Sequence, residues 1–129
     1  MSAKIAIGIG CRLGCSAELI EGVVRQALER IPAADAPHLF SIADKRGEPG
    51  LAEAASRLGL QLGFLPREAL AARGDEAKTR SSRVQTLFGV PSVAEAAALA
   101  GAGPGSTLIV ARIANRGATC AIAQAAGPT

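Results

Sequence analysis

The first third of the chain changes from a two-residue to a three-to-four-residue hydrophobic period. Isoleucines alternate with alanine and glycine from Ile5 to Ile9, which predicts a short buried strand. Apolar residues then recur at three- and four-residue steps from Ile20 to Ile31, opposite a charged face, which predicts an amphipathic helix. Ser16 is a favourable N-cap for that helix because its hydroxyl can accept a hydrogen bond from an amide of the first turn.

The rest of the chain repeats this alternation of strands and helices. The patterns predict further strands over 38–43, 60–65, 107–114 and 118–124, helices over 48–59, 66–72, 82–89 and 92–101, a connector over 32–37 and a mobile loop over 74–81. Asn115-Arg-Gly117 between the last two strands is a hairpin signature. We therefore predict an α/β fold in one domain spanning 1–129, a three-layer sandwich around a mixed sheet of about five strands with a C-terminal β-hairpin.

Composition narrows the function classes. Among 129 residues, 49% are hydrophobic and only 2% aromatic, so the core is built from aliphatic side chains. The net charge of +3 is scattered, and without dense basic tracts and stacking aromatics it argues against nucleic-acid binding and favours a small polyanionic ligand. No apolar run is long enough to cross a membrane, no signal peptide is present, and an odd number of cysteines fits a reduced compartment, so we expect a cytoplasmic protein.

The glycine-rich loop after the first strand is the first candidate for chemistry. Its amides and the positive end of the following helix are expected to point at one place, which suits an anion. Gly8, Gly10 and Gly14 have the spacing GxGxxxG, one residue longer than the dinucleotide fingerprint, although Asp44 stands where a ribose-binding acid could be. The chain is too short for two mononucleotide-binding halves, and the alternative to a nucleotide site is a plain tight turn.

The cysteines allow two interpretations. Cys11 lies beside Arg12 and near the start of a predicted helix, so a lowered pKa could make it a nucleophile, although no histidine partner is evident. The alternative is that Cys11, Cys15 and Cys120 are buried or half-buried thiols. We predict no metal site and no cofactor, because the single histidine, His38, has no ligand motif around it.

Two glutamates at helix starts, Glu95 and Glu48, also allow a catalytic and a structural interpretation. Ser92 and Glu95 have the spacing of a catalytic pair, but a capping box explains this spacing, as it explains that of Ser82 and Gln85. Glu48, before a predicted helix, either favours the helix dipole or acts as an acid or base at the mouth of the sheet.

Basic residues follow the first two predicted strands. Arg12 comes after the first, and Lys45 and Arg46 come after the second. Because the carboxyl ends of parallel strands open onto one edge of a sheet, these side chains are expected to flank a common ligand site. The alternative is that they are solvated loop charges.

Several motifs in order resemble one family, the cobalamin-biosynthesis protein CobE and the C-terminal domain of CbiG. The resemblance covers nearly the whole chain and rests on the following segments: Gly8-Ile-Gly-Cys-Arg12, Ser16-Ala-Glu, Asp44-Lys45, Glu48-Pro-Gly-Leu51, Gly89-Val-Pro-Ser-Val-Ala-Glu-Ala-Ala-Ala-Leu99 and Thr119-Cys-Ala-Ile-Ala123. It implies work on corrin-ring precursors, which are flat apolar macrocycles edged with acetate and propionate groups. It also implies a basic penultimate strand, of which this chain keeps Arg112 but has Ile113 and Ala114 at the next positions, with Arg116 nearby.

The resemblance leaves two functional hypotheses. In the first, the protein is an accessory binder or carrier of a precorrin or other corrinoid intermediate, and other cobalamin-pathway enzymes are candidate partners. In the second, it is a hydrolase that opens a precorrin lactone with loss of a two-carbon fragment, as CbiG does, with Cys11 and Glu48 as catalytic candidates. The expected substrate-binding residues are Gly8, Gly10, Cys11, Arg12, Lys45, Glu48 and Arg112.

Overall fold

A computed structural model of the chain describes residues 4–33 and 36–127. The strands in this part of the chain are β1 (Ile5–Cys11), β2 (His38–Ile42), β3 (Leu62–Leu65), β4 (Thr107–Asn115) and β5 (Ala118–Gln124). The α-helices are α1 (Ala17–Leu28), α2 (Pro49–Leu58), α3 (Arg67–Ala71), α4 (Ser82–Phe88) and α5 (Val93–Ala102), with 3-10 turns at Ala43–Lys45 and Gly74–Glu76.

The five strands form one mixed sheet in the order β3-β2-β1-β5-β4. Strands β1, β2 and β3 are parallel, and β5 runs antiparallel to both β1 and β4. Helices α1 and α2 pack on one face, while α5 covers the other together with α3. The predicted three-layer sandwich with a mixed sheet and a C-terminal hairpin is therefore confirmed.

Strand β1 divides its side chains between the two layers. Ile5, Ile7 and Ile9 enter the core formed with α1 and α2. Gly8, on the opposite face, lies against α5 so closely that a Cβ there would be 1.9 Å from the carbonyl oxygen of Ala94. The small residues of β1 thus allow an alanine-rich helix to lie directly on the sheet, which explains why α5 is buried on nearly every side.

Several predicted boundaries hold and others move. Ser16 caps α1 through a 3.2 Å bond from the Leu19 amide, and Gly59 ends α2 in the left-handed conformation. Helix α1 ends at Leu28 instead of Ile31, and β3 begins at Leu62 instead of Leu60. The connector predicted over 32–37 includes residues 34–35, which lie outside the described residues.

The two predicted capping boxes are only partly correct. Ser81, not Ser82, caps α4, by accepting a bond from the Val84 amide. Ser92 does accept the Glu95 amide at 3.2 Å, but the Glu95 carboxylate turns away from the cap and bonds to other elements. The segment predicted as a mobile loop over 74–81 contains one of the 3-10 turns.

The turn between β4 and β5 has the tight geometry that the sequence Asn115-Arg-Gly117 predicts. Arg116 and Gly117 both have positive φ, at 50° and 103°, which is the geometry of the two-residue turns that join tightly paired strands. The Gly117 carbonyl also accepts a 2.9 Å bond from the Arg12 amide. The turn therefore fixes the start of the glycine loop beside the hairpin.

Candidate cationic pocket

A hollow of about 580 Å³ opens at the edge of the sheet where β1 ends. Four cationic side chains line it: Arg12, Lys45, Arg83 and Arg112. Apolar side chains form a further part of the lining: Leu13, Val84, Leu87, Phe88 and Val93. Gly10, Cys11, Ser81, Ser92, Ala114, Gly117 and Thr119 complete it, so we call this hollow the cationic pocket.

Separate elements bring the four cations together. Arg12 follows β1 and lies over Gly117, where a Cβ would be 3.0 Å from the Arg12 Cδ. Lys45 ends the 3-10 turn after β2, with its Nζ 5.6 Å from the centre of the Phe88 ring. Arg83 lies in the first turn of α4, and Arg112 lies on β4.

The pocket is electrostatically positive. Among the residues that the structure describes, none of the four cations takes part in an ion pair, and no Asp or Glu lines the hollow. Ser92 and Val93, at the N-terminus of α5, also line it, so the positive end of the helix dipole faces the same space. Uncompensated guanidinium and ammonium groups in a partly apolar hollow favour an anionic ligand.

Cys11 lines the pocket but is not an activated thiol. Burial raises the pKa of Cys11 to about 11, and the opposing effect of Lys45 is smaller. The residue ends β1, whereas the following helix begins only at Ala17, so Cys11 does not belong to the first turn of α1. The expectation of a lowered Cys11 pKa is therefore wrong, and the thiol is protonated at neutral pH.

Glu48 holds the glycine loop instead of facing the pocket. Its Oε1 accepts a 2.8 Å bond from the Gly14 amide, and the residue is 8% exposed. It does not belong to the lining of the cationic pocket. The carboxylate thus satisfies an amide of the loop, and this placement gives no support to a role as acid or base.

The two leading glycines of the loop are placed differently. Gly8 is buried beneath α5 and does not line the pocket. Gly10 does line it, and a Cβ there would be 2.6 Å from the Thr119 Oγ1. The first glycine serves packing against α5, and the second, which lines the pocket, leaves room for the Thr119 hydroxyl.

The N-terminus of α1 does not face the cationic pocket, contrary to expectation. It lines a second hollow of about 270 Å³ with Cys15, Ser16, Ala17, Glu18, Pro49, Gly50, Glu53 and Arg57. Two of these residues are acidic, and Arg57 is paired with Glu53 at 2.6 Å. We call this the smaller hollow; it has no uncompensated cation in its lining.

One cation predicted at this edge of the sheet does not reach the pocket, and one cation of the pocket was not predicted. Arg46 stacks over Phe64, 5.6 Å from the ring centre, and neither it nor Arg116 lines the pocket. Arg83 was not predicted. A signal was available, because a cation in the first turn of a helix opposes the helix dipole and therefore calls for another explanation.

The described residues contain no group of three or more His, Cys, Asp and Glu side chains arranged to hold a metal ion. All three cysteines are free. No helix in the described ranges combines the length and the apolar character needed to cross a membrane.

Comparison with known proteins decides the family. The family model described as "Cobalamin synthesis G C-terminus" matches residues 5–123. The chain belongs to this CbiG C-terminal family. The resemblance predicted from the motifs is thereby confirmed, and the protein belongs to the cobalamin biosynthesis pathway.

Three proteins are similar to this chain in sequence or in structure. Protein CobE of a Sinorhizobium species is 31% identical over 123 residues, covering 94% of this chain and 80% of the relative. The crystal structure of a CobE from the cobalamin (vitamin B12) pathway superposes with a TM-score of 0.89 at 33% identity, covering 100% of this chain and 95% of the other. The cobalamin biosynthesis protein chiG of Agrobacterium tumefaciens matches with a TM-score of 0.72 at 36% identity, covering 95% and 99%.

Proposed function

We propose that the protein binds a precorrin or other corrin-ring intermediate in the cationic pocket and acts as an accessory binder or carrier. The observation that carries this proposal is the grouping of four unpaired cations, with no carboxylate among them, beside an apolar wall. A precorrin presents the complementary surface, because its carboxylates surround a flat apolar ring. Arginine suits such an edge because it makes paired hydrogen bonds to carboxylate.

The apolar part of the pocket extends beyond its mouth. Leu13 is 87% exposed and Leu87 is 50% exposed, although both line the hollow. Large apolar side chains left in water are expected to contact a partner or ligand when they border a pocket. A macrocycle with its charged edge among the cations would cover these leucines with one face.

The alternative function is hydrolysis of a precorrin lactone. It needs a group that activates water or attacks the ring, and the described residues of the pocket lining include no Asp, Glu or His. Both catalytic candidates lack the required features, since the Cys11 thiol has a raised pKa and Glu48 is bonded to the Gly14 amide outside the lining. These placements favour the accessory binder over the hydrolase.

A titration with matched ligands tests the binder. Cobyrinic acid carries free carboxylates around a corrin ring, and its fully esterified form has the same ring without the charges. The protein has no Trp and no Tyr, so the visible and near-ultraviolet spectrum reports the ligand. We expect saturable binding of the acid and at least about tenfold weaker binding of the ester, as the loss of charge-assisted hydrogen bonds implies. Equal affinity for both, or no binding of the acid, would contradict the proposal.

The hydrolase is tested separately by incubating the protein with a lactone-bearing precorrin and following the mass of the ring. Ring opening with loss of a two-carbon fragment, abolished in Glu48→Gln or Cys11→Ser, would support the enzyme.

We also propose a cytoplasmic location, which the three free cysteines support, and delivery of the ligand to another enzyme of the pathway.

A further inference from the structure

Glu95 lies in the first turn of α5 and is fully buried, at 0% exposure. Its carboxylate accepts four hydrogen bonds. Oε1 accepts the amides of Lys78 at 2.9 Å and Thr79 at 2.8 Å. Oε2 accepts the Thr79 hydroxyl at 3.0 Å and the Arg112 amide at 2.9 Å. One side chain therefore connects three segments that are distant in sequence.

Two of those segments lead directly to cations of the pocket. Thr79 precedes Ser81, which caps the helix that carries Arg83, and the Ser81 amide is itself tied to the Pro91 carbonyl at 2.9 Å. On the other side, Glu95 bonds the backbone of Arg112 itself. The carboxylate thus lies between the wall that carries Arg83 and the strand that carries Arg112.

Strand β4 is irregular at this point. Its pairing with β5 shifts register between Val110 and Ile113, and the amide of Arg112, which lies between them, donates to Glu95. Irregularities of this kind re-aim a side chain relative to a regular strand. The hydrogen bond to Glu95 therefore stabilises the backbone conformation from which the Arg112 side chain enters the pocket.

Helix capping does not require this carboxylate. The Ser92 hydroxyl already accepts the Glu95 amide, so the helix is capped without help from the Glu95 side chain. Burying a carboxylate is costly unless hydrogen bonds replace its water. Here one bond comes from the Arg112 amide and three come from Lys78 and Thr79, in the segment that leads to Arg83. The hydrogen bonds of this carboxylate set the distance between the segment that leads to Arg83 and the strand that carries Arg112.

We infer that Glu95 is a positioning residue of the corrinoid site, which holds Arg83 and Arg112 at the separation needed to engage carboxylates of one ring. This inference rests on the proposed function. It assigns Glu95 no contact with the ligand; the carboxylate acts through the backbone on either side of it.

The test is the variant Glu95→Gln, measured by titration with cobyrinic acid over a range of salt concentrations. Glutamine has the same shape, but its amide group must face at least one of the backbone N–H donors, which leaves that donor without an acceptor. We expect about tenfold weaker binding at low salt, on the scale of a lost buried hydrogen bond to a charged group. We also expect a shallower dependence of the affinity on salt, because fewer cations still reach the ligand.

Ser106→Ala is the matched control. It removes a buried 2.9 Å hydrogen bond to the Leu99 carbonyl at the other end of α5, away from the pocket. This variant is expected to lower the free energy of unfolding while leaving the affinity and its salt dependence unchanged. A loss of affinity that merely follows stability would appear in both variants.

A milder pair of variants covers the case in which Glu95→Gln does not fold. Thr79→Ala removes only the hydroxyl bond to Oε2, and Thr79→Ser restores it. We expect the alanine variant to bind more weakly with a shallower salt dependence, and the serine variant to behave as the wild type.

The outcomes separate this inference from the function on which it rests. If the wild type binds and the folded Glu95→Gln keeps its affinity and salt dependence, the positioning role is wrong and the proposed function stands. The same conclusion follows if Thr79→Ala binds like the wild type. If the wild type does not bind cobyrinic acid, the proposed function fails, and this inference fails with it.

Discussion

The cationic pocket and the smaller hollow both lie at helix N-termini, but they offer opposite electrostatic environments. The cationic pocket combines the start of α5 with four cations and no carboxylate. The smaller hollow combines the start of α1 with Glu18, Glu53 and an Arg57 that is already paired. A helix N-terminus is therefore insufficient to mark an anion site, and the surrounding charges distinguish the two.

Each of the two hollows has one cysteine in its lining. Cys11 lines the cationic pocket and Cys15 lines the smaller hollow, yet burial raises the pKa of both thiols. For Cys11, burial has a larger effect than Lys45, and for Cys15, burial and the Glu48 carboxylate together outweigh Arg12 and Lys45. Neither hollow thus contains an activated cysteine, which favours binding over covalent chemistry in the cationic pocket.

Charge reversal should produce the largest difference between the hollows. We expect Arg83→Glu to weaken binding of cobyrinic acid about a hundredfold, because it replaces an attraction to the ligand's carboxylates with a repulsion. Glutamate is favourable in the first turn of α4, so the fold should not suffer. Arg57→Glu in the smaller hollow is the control and should bind as the wild type. Equal losses of affinity in the two variants, measured by absorbance titration, would mean that the two hollows do not differ in ligand binding.

Gly8→Ala tests whether the first glycine belongs to the packing and not to either hollow. The added Cβ would be 1.9 Å from the Ala94 carbonyl oxygen, so we expect a loss of about 2–3 kcal/mol in the free energy of unfolding, measured with urea. Gly22→Ala, in α1 with nothing within 4 Å of the new Cβ, should instead stabilise by about 0.5–1 kcal/mol. Unchanged stability of Gly8→Ala would argue against the close contact between β1 and α5.

Thiol reactivity should be low in both hollows. Because folding raises the pKa of Cys11 to about 11, the thiol remains protonated until the pH approaches that value. In the Cys15→Ser variant, we expect iodoacetamide at pH 8 to modify Cys11 at least about tenfold more slowly than in the urea-unfolded protein. Cys11→Ser reports Cys15, whose pKa is also raised, and should show slow modification as well. Faster reaction of Cys11 in the folded than in the unfolded protein would support a nucleophilic role for Cys11.

The apolar wall should contribute the smallest effect. We expect Leu87→Ala to weaken binding of cobyrinic acid about threefold, because part of the ring loses an apolar contact. Ile109→Ala provides the control, since Ile109 is 40% exposed on β4 but does not line the pocket. Isothermal titration of the two variants should separate them. Equal affinity would mean that the exposed leucine does not contact the ring.

Local sequence patterns predicted the elements because period and capping are short-range properties. The isoleucines of β1, the Ser16 cap and the Arg116–Gly117 turn each depend on neighbours within a few residues, and the structure confirms them. The sheet edge also brought Arg12 and Lys45 together as expected, since both follow parallel strands.

The other parts of the cationic pocket and its surroundings could not be predicted in the same way, because they depend on contacts between distant segments. Arg83 reaches the pocket only because α4 packs beside α5, and nothing in its local pattern specifies that packing. The spacing of Ser92 and Glu95 indicated a capping box, whereas the carboxylate bonds to Thr79 and Arg112. Gly8 was interpreted as part of a turn, but its requirement comes from the Ala94 backbone.

The most direct measurement is a map of amide chemical shifts in the ¹⁵N-labelled protein during titration with cobyrinic acid. We predict that the largest changes fall in residues 10–13, 81–88 and 112–119, around the cationic pocket, while residues 15–18 and 49–57 change little. Saturable shifts concentrated at residues 15–18 and 49–57, with residues 81–88 unaffected, would contradict the assignment of the ligand to the cationic pocket.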